Sequence, residues 1–273
     1  QLYLRSSGTA ENPILIGAYG VGAKPILDSR GSLPNWAFAS SWSQYRASVW
    51  RMKLGRDPRR LWLSGQEYAP AASLSGVDPY SRFYYAGNTN LLYVYAPSMP
   101  AAFYTAMVGL HDSATTVQVS NQPHLEFCDL ELRGGYGACL HIWSSHHIQV
   151  HDVTIGYTFK GISVNGPYEP DLPSSYCEIY DCVLDSQFTL TYNHSGVGIH
   201  DGIMSSYGHH CTYRDNVIKN WGHAGINLFC SDPQAQAGTS FNEIHGNYIT
   251  APDVSYCRGL NTGESGRASC RER

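Results

Sequence analysis

Residues 195–202 read Ser-Gly-Val-Gly-Ile-His-Asp-Gly, and residues 222–225 read Gly-His-Ala-Gly. Both stretches place proton-transfer side chains among glycines, where the backbone can approach a ligand closely. Carboxyl and imidazole groups are the usual general acids and bases of enzymes. We therefore predict an acid–base site at Asp201, assisted by His200 and His223.

Glycoside hydrolysis is the first reaction that this site predicts. It needs two carboxyl groups, about 5–5.5 Å apart for retention of configuration and about 6.5–9.5 Å apart for inversion. Two carboxyl groups on neighbouring stacked strands would lie at about the shorter separation, and two carboxyl groups on loop tips would lie at the longer one. The second carboxylate is predicted to come from one of two long loops, which carry Glu169, Asp171 and Asp232.

A polysaccharide lyase is the alternative enzyme class. β-Elimination on a uronate requires a basic side chain that removes a proton and a cation that neutralises the uronate carboxylate. The central part of the chain offers Lys160, Arg214 and Lys219, and Lys160 directly precedes a predicted strand. Lys160 is therefore the predicted base of a lyase, with calcium as its candidate cofactor. A hydrolase would need no cofactor.

Two other kinds of site are not predicted. Histidine pairs occur at residues 146–147 and 209–210, but adjacent residues of a strand point to opposite faces and rarely bind one metal ion together. We therefore predict no metal site. The chain also contains no Gly-x-Ser-x-Gly motif, so a serine nucleophile of that kind is not expected.

A repeated pattern must position the predicted site residues. It occurs at residues 125–132, 148–155, 177–184, 211–218 and 242–249. In each copy an Asp or Gly interrupts alternating apolar residues, and both types tolerate the left-handed backbone of a sharp bend. The predicted corners are Asp129, Asp152, Asp181, Asp215 and Gly246. Constant strands with loops of varying length predict an all-β solenoid, a parallel β-helix, rather than a hairpin-built sandwich.

The position after each corner is predicted to point into the core. Asn216 and Asn247 occupy it in the last two copies. Their side chains are expected to form hydrogen bonds from one turn of the solenoid to the next, because a buried amide needs partners.

A further strand follows each corner and is predicted to expose two columns of side chains. Aligning the strands on Leu140, Ile162, Ile199, Ile226 and Leu260 gives a first column of His141, Ser163, His200, Asn227 and Asn261. The second column contains Trp143, Asn165, Gly202, Phe229 and Gly263. Short polar groups suit sugar hydroxyls, and an exposed ring can stack on a sugar face. The alternative is an ordinary solvated sheet surface.

The same alignment places Asp201 in an apolar column, level with Val164 and Leu228. A carboxylate at such a position must be paired or turned outward, because burying it alone is costly.

Residues 8–28 look like an early turn of the same solenoid, with Ile14-Leu15-Ile16-Gly17 and Pro25-Ile26-Leu27-Asp28 as its strands. Together with the later repeats, this stretch resembles secreted right-handed parallel β-helix proteins of the pectate-lyase-like superfamily. The resemblance covers residues 8–30 and 106–263. It implies a right-handed β-helix, and, because many members of that superfamily cleave polysaccharides, a carbohydrate-active enzyme.

Residues 36–105 lack the repeat and are rich in aromatic side chains, among them Trp36, Trp42, Trp50, Trp62, Tyr84, Tyr85, Tyr93 and Tyr95. We predict an inserted β-rich module whose aromatic residues form its own core. In the alternative interpretation, some of these residues line one end of a sugar groove. The predicted organisation is an early β-helix turn at 1–35, the inserted module at 36–105, the main β-helix at 106–263 and an unpatterned tail at 264–273.

The composition excludes some partners. Only 15% of the residues are charged and the net charge is −4, so the chain lacks the basic surface that binds nucleic acid or anionic membranes. No run approaches the roughly 20 apolar residues of a membrane span. The eight cysteines are expected to be mostly packed side chains. We expect a secreted monomer whose signal peptide lies upstream of the printed sequence and whose partner is a polysaccharide or oligosaccharide.

These observations predict a carbohydrate-active enzyme, with hydrolysis ahead of elimination because carboxylates outnumber well-placed basic residues. A non-catalytic β-helix for sugar binding or adhesion is the third alternative. Its mark would be polar columns without a close pair of carboxylates.

Overall fold

A computed structural model describes residues 1–68, 70–111, 115–166, 174–186, 201–229, 241–250, 258–262 and 269–271. The chain divides into two compact units. One is built from residues 1–29 and the described residues from 115 onward, and the other from the described residues between 30 and 111. No helix among the described residues is long and apolar enough to cross a bilayer.

The first unit is a right-handed parallel β-helix, as the sequence predicts. Each turn gives one strand to each of three parallel sheets. Sheet 1 consists, in spatial order, of Leu2–Leu4, Thr115–Ser120, Ala138–Trp143, Ile162–Asn165, Asp201–Ser206, Ala224–Phe229 and Arg258–Thr262. Sheet 2 consists of Ile14–Gly17, Leu125–Cys128, Ile148–His151, Glu178–Tyr180, Thr212–Arg214, Glu243–His245 and Ser269–Arg271. Sheet 3 consists of Ile26–Asp28, Glu131–Arg133, Thr154–Gly156, Val183–Asp185, Val217–Lys219 and Tyr248–Thr250.

Two short strands, Ser174–Ser175 and Gly208–His209, pair in parallel between sheets 1 and 2. The sheets bury their inward side chains against each other. Phe127, Val150, Ile179 and Tyr213 form one such column in sheet 2, and each is fully buried. Burial of an apolar side chain of this size contributes roughly 1.5–3 kcal/mol.

The corners between sheets 2 and 3 are the five predicted residues. Each has a left-handed backbone, with φ of 51° at Asp129, 53° at Asp152, 51° at Asp181, 55° at Asp215 and 67° at Gly246. Successive corners lie close together. A Cβ added to Gly246 would come within 2.1 Å of Asp215 Oδ1, so the last of these corners has no room for a side chain.

The predicted asparagine ladder is confirmed. Asn216 Nδ2 donates to Asn247 Oδ1 at 2.9 Å, and Asn216 Oδ1 accepts the backbone N–H of Cys182 at 3.0 Å. Asn216 is fully buried, and an unpaired amide there would cost about 1–3 kcal/mol. The ladder therefore fixes the register of three successive turns.

The register of sheet 1 differs from the prediction at one strand. Asn227 pairs with Met204, not with His200, because the strand aligns on Gly202 and Ile203. The sequence offers two Gly-Ile pairs four residues apart, at 198–199 and 202–203, and local alternation cannot choose between them. The prediction that Asp201 is level with Val164 and Leu228 is wrong for the same reason, since Ser205 occupies that level.

Close packing between turns explains why Gly202, rather than Gly198, is the glycine at the start of this strand. A Cβ on Gly202 would lie 2.6 Å from Gly225 O and 2.6 Å from the Cγ2 atom of Ile218. A Cβ on Gly161 would in turn lie 2.3 Å from Gly202 O. Three stacked glycines thus allow the turns to approach at the start of these strands.

The second unit contains two antiparallel sheets. One has the order Ser43–Arg46, Val49–Lys53, Leu91–Tyr95 and Phe83–Ala86, and the other has the order Gly31–Ser32, Met107–His111, Pro58–Leu63 and Gln66–Tyr68. Short helices occur at Ala39–Ser41, Leu74–Gly76 and Pro100–Phe103. Trp42 and Trp62 are buried, and Trp36, Trp50 and Tyr85 pack against the core. Much of the aromatic content therefore serves the module itself, as predicted.

A substitution tests the glycine stack. Gly202→Ala is expected to lower the free energy of unfolding by about 1–3 kcal/mol, because the new methyl group meets backbone and a packed side chain. Gly22→Ala is the matched control, since nothing lies within 4 Å of the position that its new methyl group would take. Denaturant unfolding of both variants measures the difference, and equal stability of the two would contradict this packing.

Candidate functional site

The outer face of sheet 1 carries two columns of side chains. The first contains Tyr3, Gln118, His141, Ser163, Met204 and Asn227. The second contains Ser120, Trp143, Asn165 and Ser206. Met204 and Ser206 therefore stand where the sequence predicted His200 and Gly202. His141, Trp143, Ser163, Asn165 and Asn227 lie in register as predicted. The predicted exposure is wrong for Ser163 and Asn227, which are only 2% and 6% exposed.

The central part of this face is polar and connected. Asn165 Nδ2 donates to Ser163 Oγ at 2.8 Å and lies 3.5 Å from His141 Nε2. The His141 ring meets the Trp143 ring edge-on, with centroids 5.9 Å apart. Trp143 is 37% exposed. Ser163 is buried, so its hydroxyl orients the Asn165 amide. Amide and imidazole groups beside an exposed indole suit a ligand with hydroxyls on an apolar ring.

His141 has a lowered pKa. The main cause is burial, and the positive charge of Lys160 adds to it. Both effects disfavour the imidazolium. The neutral ring of His141 can donate one hydrogen bond and accept another, which is useful for binding a hydroxyl.

Asp201 is buried and paired. It is 2% exposed, and its Oδ1 lies 2.8 Å from His223 Nδ1 while its Oδ2 accepts from Asn227 Nδ2 at 3.1 Å. The predicted pairing of this carboxylate is thus observed. Because both oxygens are engaged, Asp201 is placed to hold His223 and Asn227 rather than to contact a ligand itself.

His223 is the exposed half of this pair, with 34% of its side chain accessible. A hydrogen bond from Nδ1–H to the carboxylate leaves the lone pair of the neutral ring on Nε2. A buried carboxylate also stabilises the imidazolium that forms when Nε2 takes a proton. The arrangement is chemically suited to general acid–base catalysis.

Lys160 lies one turn away from Asp201. The backbone N–H of Gly161, the residue that follows Lys160, donates to Asp201 O at 3.0 Å. The positive charge of Lys160 contributes to the lowered pKa of His141. The structure therefore brings together Asp201 and His223 of the predicted catalytic residues, with Lys160 on the neighbouring turn.

Other predicted residues are not placed. His200, Glu169, Asp171 and Asp232 lie outside the described residues, so the predicted carboxylate pairs stay predictions. By backbone register, Phe229 pairs with Ser206 and Asn261 pairs with Asn227.

Sequence reasoning missed a ladder of stacked rings between sheets 1 and 2. Its five residues all have left-handed φ values of 52–56°: His124, His147, Tyr176, His210 and Phe241. Successive ring centroids are 4.8, 5.2, 5.1 and 4.9 Å apart, with interplanar angles of 25°, 21°, 7° and 6°. A signal was present in the sequence, since each ring immediately precedes one of the five repeats.

The ladder borders a groove of about 400 Å³ on the outer face of sheet 2. Glu126, Gln149 and Glu178 line it from successive turns. At its side, His151 bonds Glu126 Oε1 through Nε2 at 3.0 Å and Asp152 Oδ2 through Nδ1 at 2.9 Å. Burial alone would lower the pKa of His151, but these two carboxylates outweigh burial and raise it.

No family model matches the sequence, and no curated protein matches it. Similar solved structures include a complex of XylC with xylose, at 11% identity and a TM-score of 0.47, covering 93% of this chain. The chain spans 59% of the length of that XylC chain.

Two further solved structures are more distant. An alginate lyase from Paenibacillus sp. str. FPU-7 is 10% identical with a TM-score of 0.25, and the match covers 55% of this chain and 77% of that one. A GH136 lacto-N-biosidase from Eubacterium ramulus is 11% identical with a TM-score of 0.22, covering 98% of this chain and 59% of that one. At these values the similarities carry no argument about function.

The histidine pKa shifts predict opposite effects on stability. His141, with its pKa below the usual 6.5, takes up its proton more readily when unfolded, so it lowers stability as the pH falls below about 6.5. His141→Gln should therefore reduce the loss of unfolding free energy between about pH 7.5 and 5.5. Chemical denaturation at both pH values measures this loss.

His151→Gln is the control of opposite sign. The pKa of His151 is raised, so its contribution is present below the unfolded pKa and is lost as the pH rises through the folded pKa. The variant should lose more stability at the lower pH than at the higher one. The same pH dependence in both variants would contradict these assignments.

Proposed function

We propose that this protein is a carbohydrate-active enzyme that cleaves glycosidic bonds on the outer face of sheet 1. The observation that supports this most is the 2.8 Å contact of His223 with buried Asp201, beside two polar columns. On an ordinary solvated sheet surface, an accessible imidazole has no need of a buried carboxylate to orient it. The expected superfamily, pectate-lyase-like, and the expected secretion belong to this proposal.

The proposed catalytic residue is His223, and Asp201 is its positioning residue. Nε2 of His223 exchanges a proton with the substrate, and Asp201 stabilises the ring in the required tautomer. Asn227 holds the second oxygen of Asp201 at 3.1 Å, so the carboxylate cannot rotate without losing a buried hydrogen bond.

The proposed substrate is an extended chain. Successive turns are about 4.8 Å apart, and the two columns cross several turns, so they present regularly spaced groups along the β-helix axis. Asn165 and His141 would bind hydroxyls, with buried Ser163 holding the Asn165 amide, and Trp143 would pack on a sugar ring. A polymer can contact many of these groups at once, whereas a single sugar can contact few.

β-Elimination is the reaction that the described groups favour. His223 would remove the proton next to the uronate carboxylate, the electron pair would form a carbon–carbon double bond, and the glycosidic oxygen would leave and take up a proton. In this proposal the positive charge of Lys160 would offset the uronate charge, in place of its predicted role as the base. Calcium is the cation that could assist, since it prefers oxygen ligands.

Hydrolysis would require two carboxyl groups that reach the scissile bond. Asp201 is engaged by two side chains and 2% exposed, so we do not propose it as one of them. Glu169, Asp171 and Asp232 are the residues through which a hydrolytic mechanism would have to act.

The products distinguish the reactions. Incubation with a panel of neutral and acidic polysaccharides should release new reducing ends together with the ultraviolet absorbance of unsaturated uronates. Reducing ends without that absorbance would replace elimination by hydrolysis. Tight binding without any new ends would contradict an enzyme and favour a carbohydrate-binding protein.

Substitutions test the residue roles. His223→Gln should lower kcat by about 10²–10⁴, the usual contribution of a general acid or base. Asp201→Asn should lower turnover and move the acidic limb of the pH–rate profile to lower pH, since the imidazolium loses its counter-charge. His245→Gln, at an exposed position of sheet 2, should leave kcat and the profile unchanged.

An unchanged pH profile in Asp201→Asn would show that Asp201 is only structural. Near-normal turnover in His223→Gln, with the fold verified by circular dichroism, would remove the proposed site.

A further inference from the structure

Three histidines converge at the end of the ring ladder, away from the proposed catalytic face. His124 and His147 occupy successive corners, and His146 precedes His147. The Nδ1 atoms of His146 and His147 are 2.8 Å apart. One ligating nitrogen from each of the three rings lies within 4.8 Å of the other two.

The backbone explains why two adjacent histidines meet. The alternation of a strand would send their side chains to opposite faces, which is why the sequence predicted no metal site here. His147 instead has φ of 54°, outside the extended range, and its ring comes to the side of His146. The prediction that these two side chains point to opposite faces is therefore wrong.

Stacking holds two of the rings in place. The His147 ring lies between the rings of His124 and Tyr176, with centroids 4.8 Å and 5.2 Å away. In such a stack the neighbours cover the ring faces and the edges carry the nitrogen atoms. The rings are thus better arranged to ligate through nitrogen than to stack on a sugar.

The nitrogen atoms of His146 and His147 are close enough to act on one ion, and neutral imidazoles are the form that ligates metals. At 2.8 Å, the two Nδ1 atoms of His146 and His147 must share a proton, and a metal ion would replace that proton.

We propose that His124, His146 and His147 form a binding site for a divalent transition-metal ion such as Zn²⁺. Zinc accepts imidazole ligands at about 2.0–2.1 Å and commonly combines three protein ligands with one water. His124 and His147 also line the groove on sheet 2. An ion held there would lie beside this groove.

A second cluster offers a built-in comparison. Glu126, Cys128 and His151 also have ligand atoms within 4.8 Å of one another. Both nitrogens of His151 already bond carboxylates, and burial raises the pKa of the Cys128 thiol. A metal would have to displace these bonds and a tightly held proton, so the three-histidine cluster is the stronger site.

Calorimetric titration of the purified chain with Zn²⁺ alone tests the proposal. The wild-type chain should bind one equivalent. In His147→Asn the new residue also tolerates the left-handed backbone of the corner. Mutating a residue that only hydrogen-bonds to a metal ligand typically weakens metal binding by roughly 10- to 100-fold, so the loss of a ligand itself should weaken Zn²⁺ binding at least as much. His146→Ala should do the same.

His210→Asn is the matched control, because His210 has the same corner conformation and also stacks on Tyr176, at 5.1 Å. This variant and His151→Gln should bind Zn²⁺ like the wild type. Electron paramagnetic resonance of the Cu²⁺-loaded chain should show coupling to several imidazole nitrogens.

Any of three results would overturn the proposal. The wild-type chain could fail to bind Zn²⁺ up to millimolar concentration, His146→Ala and His147→Asn could bind Zn²⁺ as tightly as the wild type, or His210→Asn could lose as much Zn²⁺ affinity as these two variants. Thermal unfolding of each variant verifies that the fold is kept. None of these outcomes depends on the enzymatic activity proposed for sheet 1.

Discussion

The backbone hydrogen bonds that stack successive turns in register are the interaction on which the β-helix depends. In a parallel strand a shift of one residue exchanges the inward and outward faces, so a slip would expose the core and bury the polar columns together. Left-handed corners and the ladder of Asn216 and Asn247 oppose such a slip. The glycine stack at Gly161, Gly202 and Gly225 opposes it at the start of the sheet 1 strands.

This register also creates the candidate site. Asp201 pairs with Ala224 on the next turn, and that pairing brings His223 and Asn227 to the two oxygens of one carboxylate. The carboxylate is excluded from water, which strengthens its interactions with both partners. A rigid stack of strands therefore holds an imidazole in one orientation at the candidate site, a task that loops perform in many enzymes.

The sequence predicted those features that depend on local backbone preference. The corners at Asp129, Asp152, Asp181 and Asp215 follow from the conformations that Asp tolerates, and they were found where the pattern placed them. The strand of Asp201 was misaligned because Gly198-Ile199 and Gly202-Ile203 look alike locally. Only contacts with neighbouring turns select the second pair.

The histidine cluster could not be predicted for a related reason. His146 and His147 were treated as neighbours in a strand, but His147 is a corner with φ of 54°. A ring before each repeat was visible in the sequence, whereas the stacking distances that make those rings a ladder belong to the three-dimensional arrangement of turns. Periodicity therefore locates the elements, and the packing between turns decides which side chains meet.

The register of sheet 1 is tested most directly by disulfide cross-linking of paired positions. Adjacent strands bring Cα atoms within the range of about 4.4–6.8 Å that a disulfide spans. Oxidation of the double variant Ser163→Cys with Met204→Cys should give an intramolecular cross-link, identified by mass spectrometry of the digested chain. Cross-linking of Ser163→Cys with His200→Cys instead, and none with Met204→Cys, would contradict the register and the site built on it.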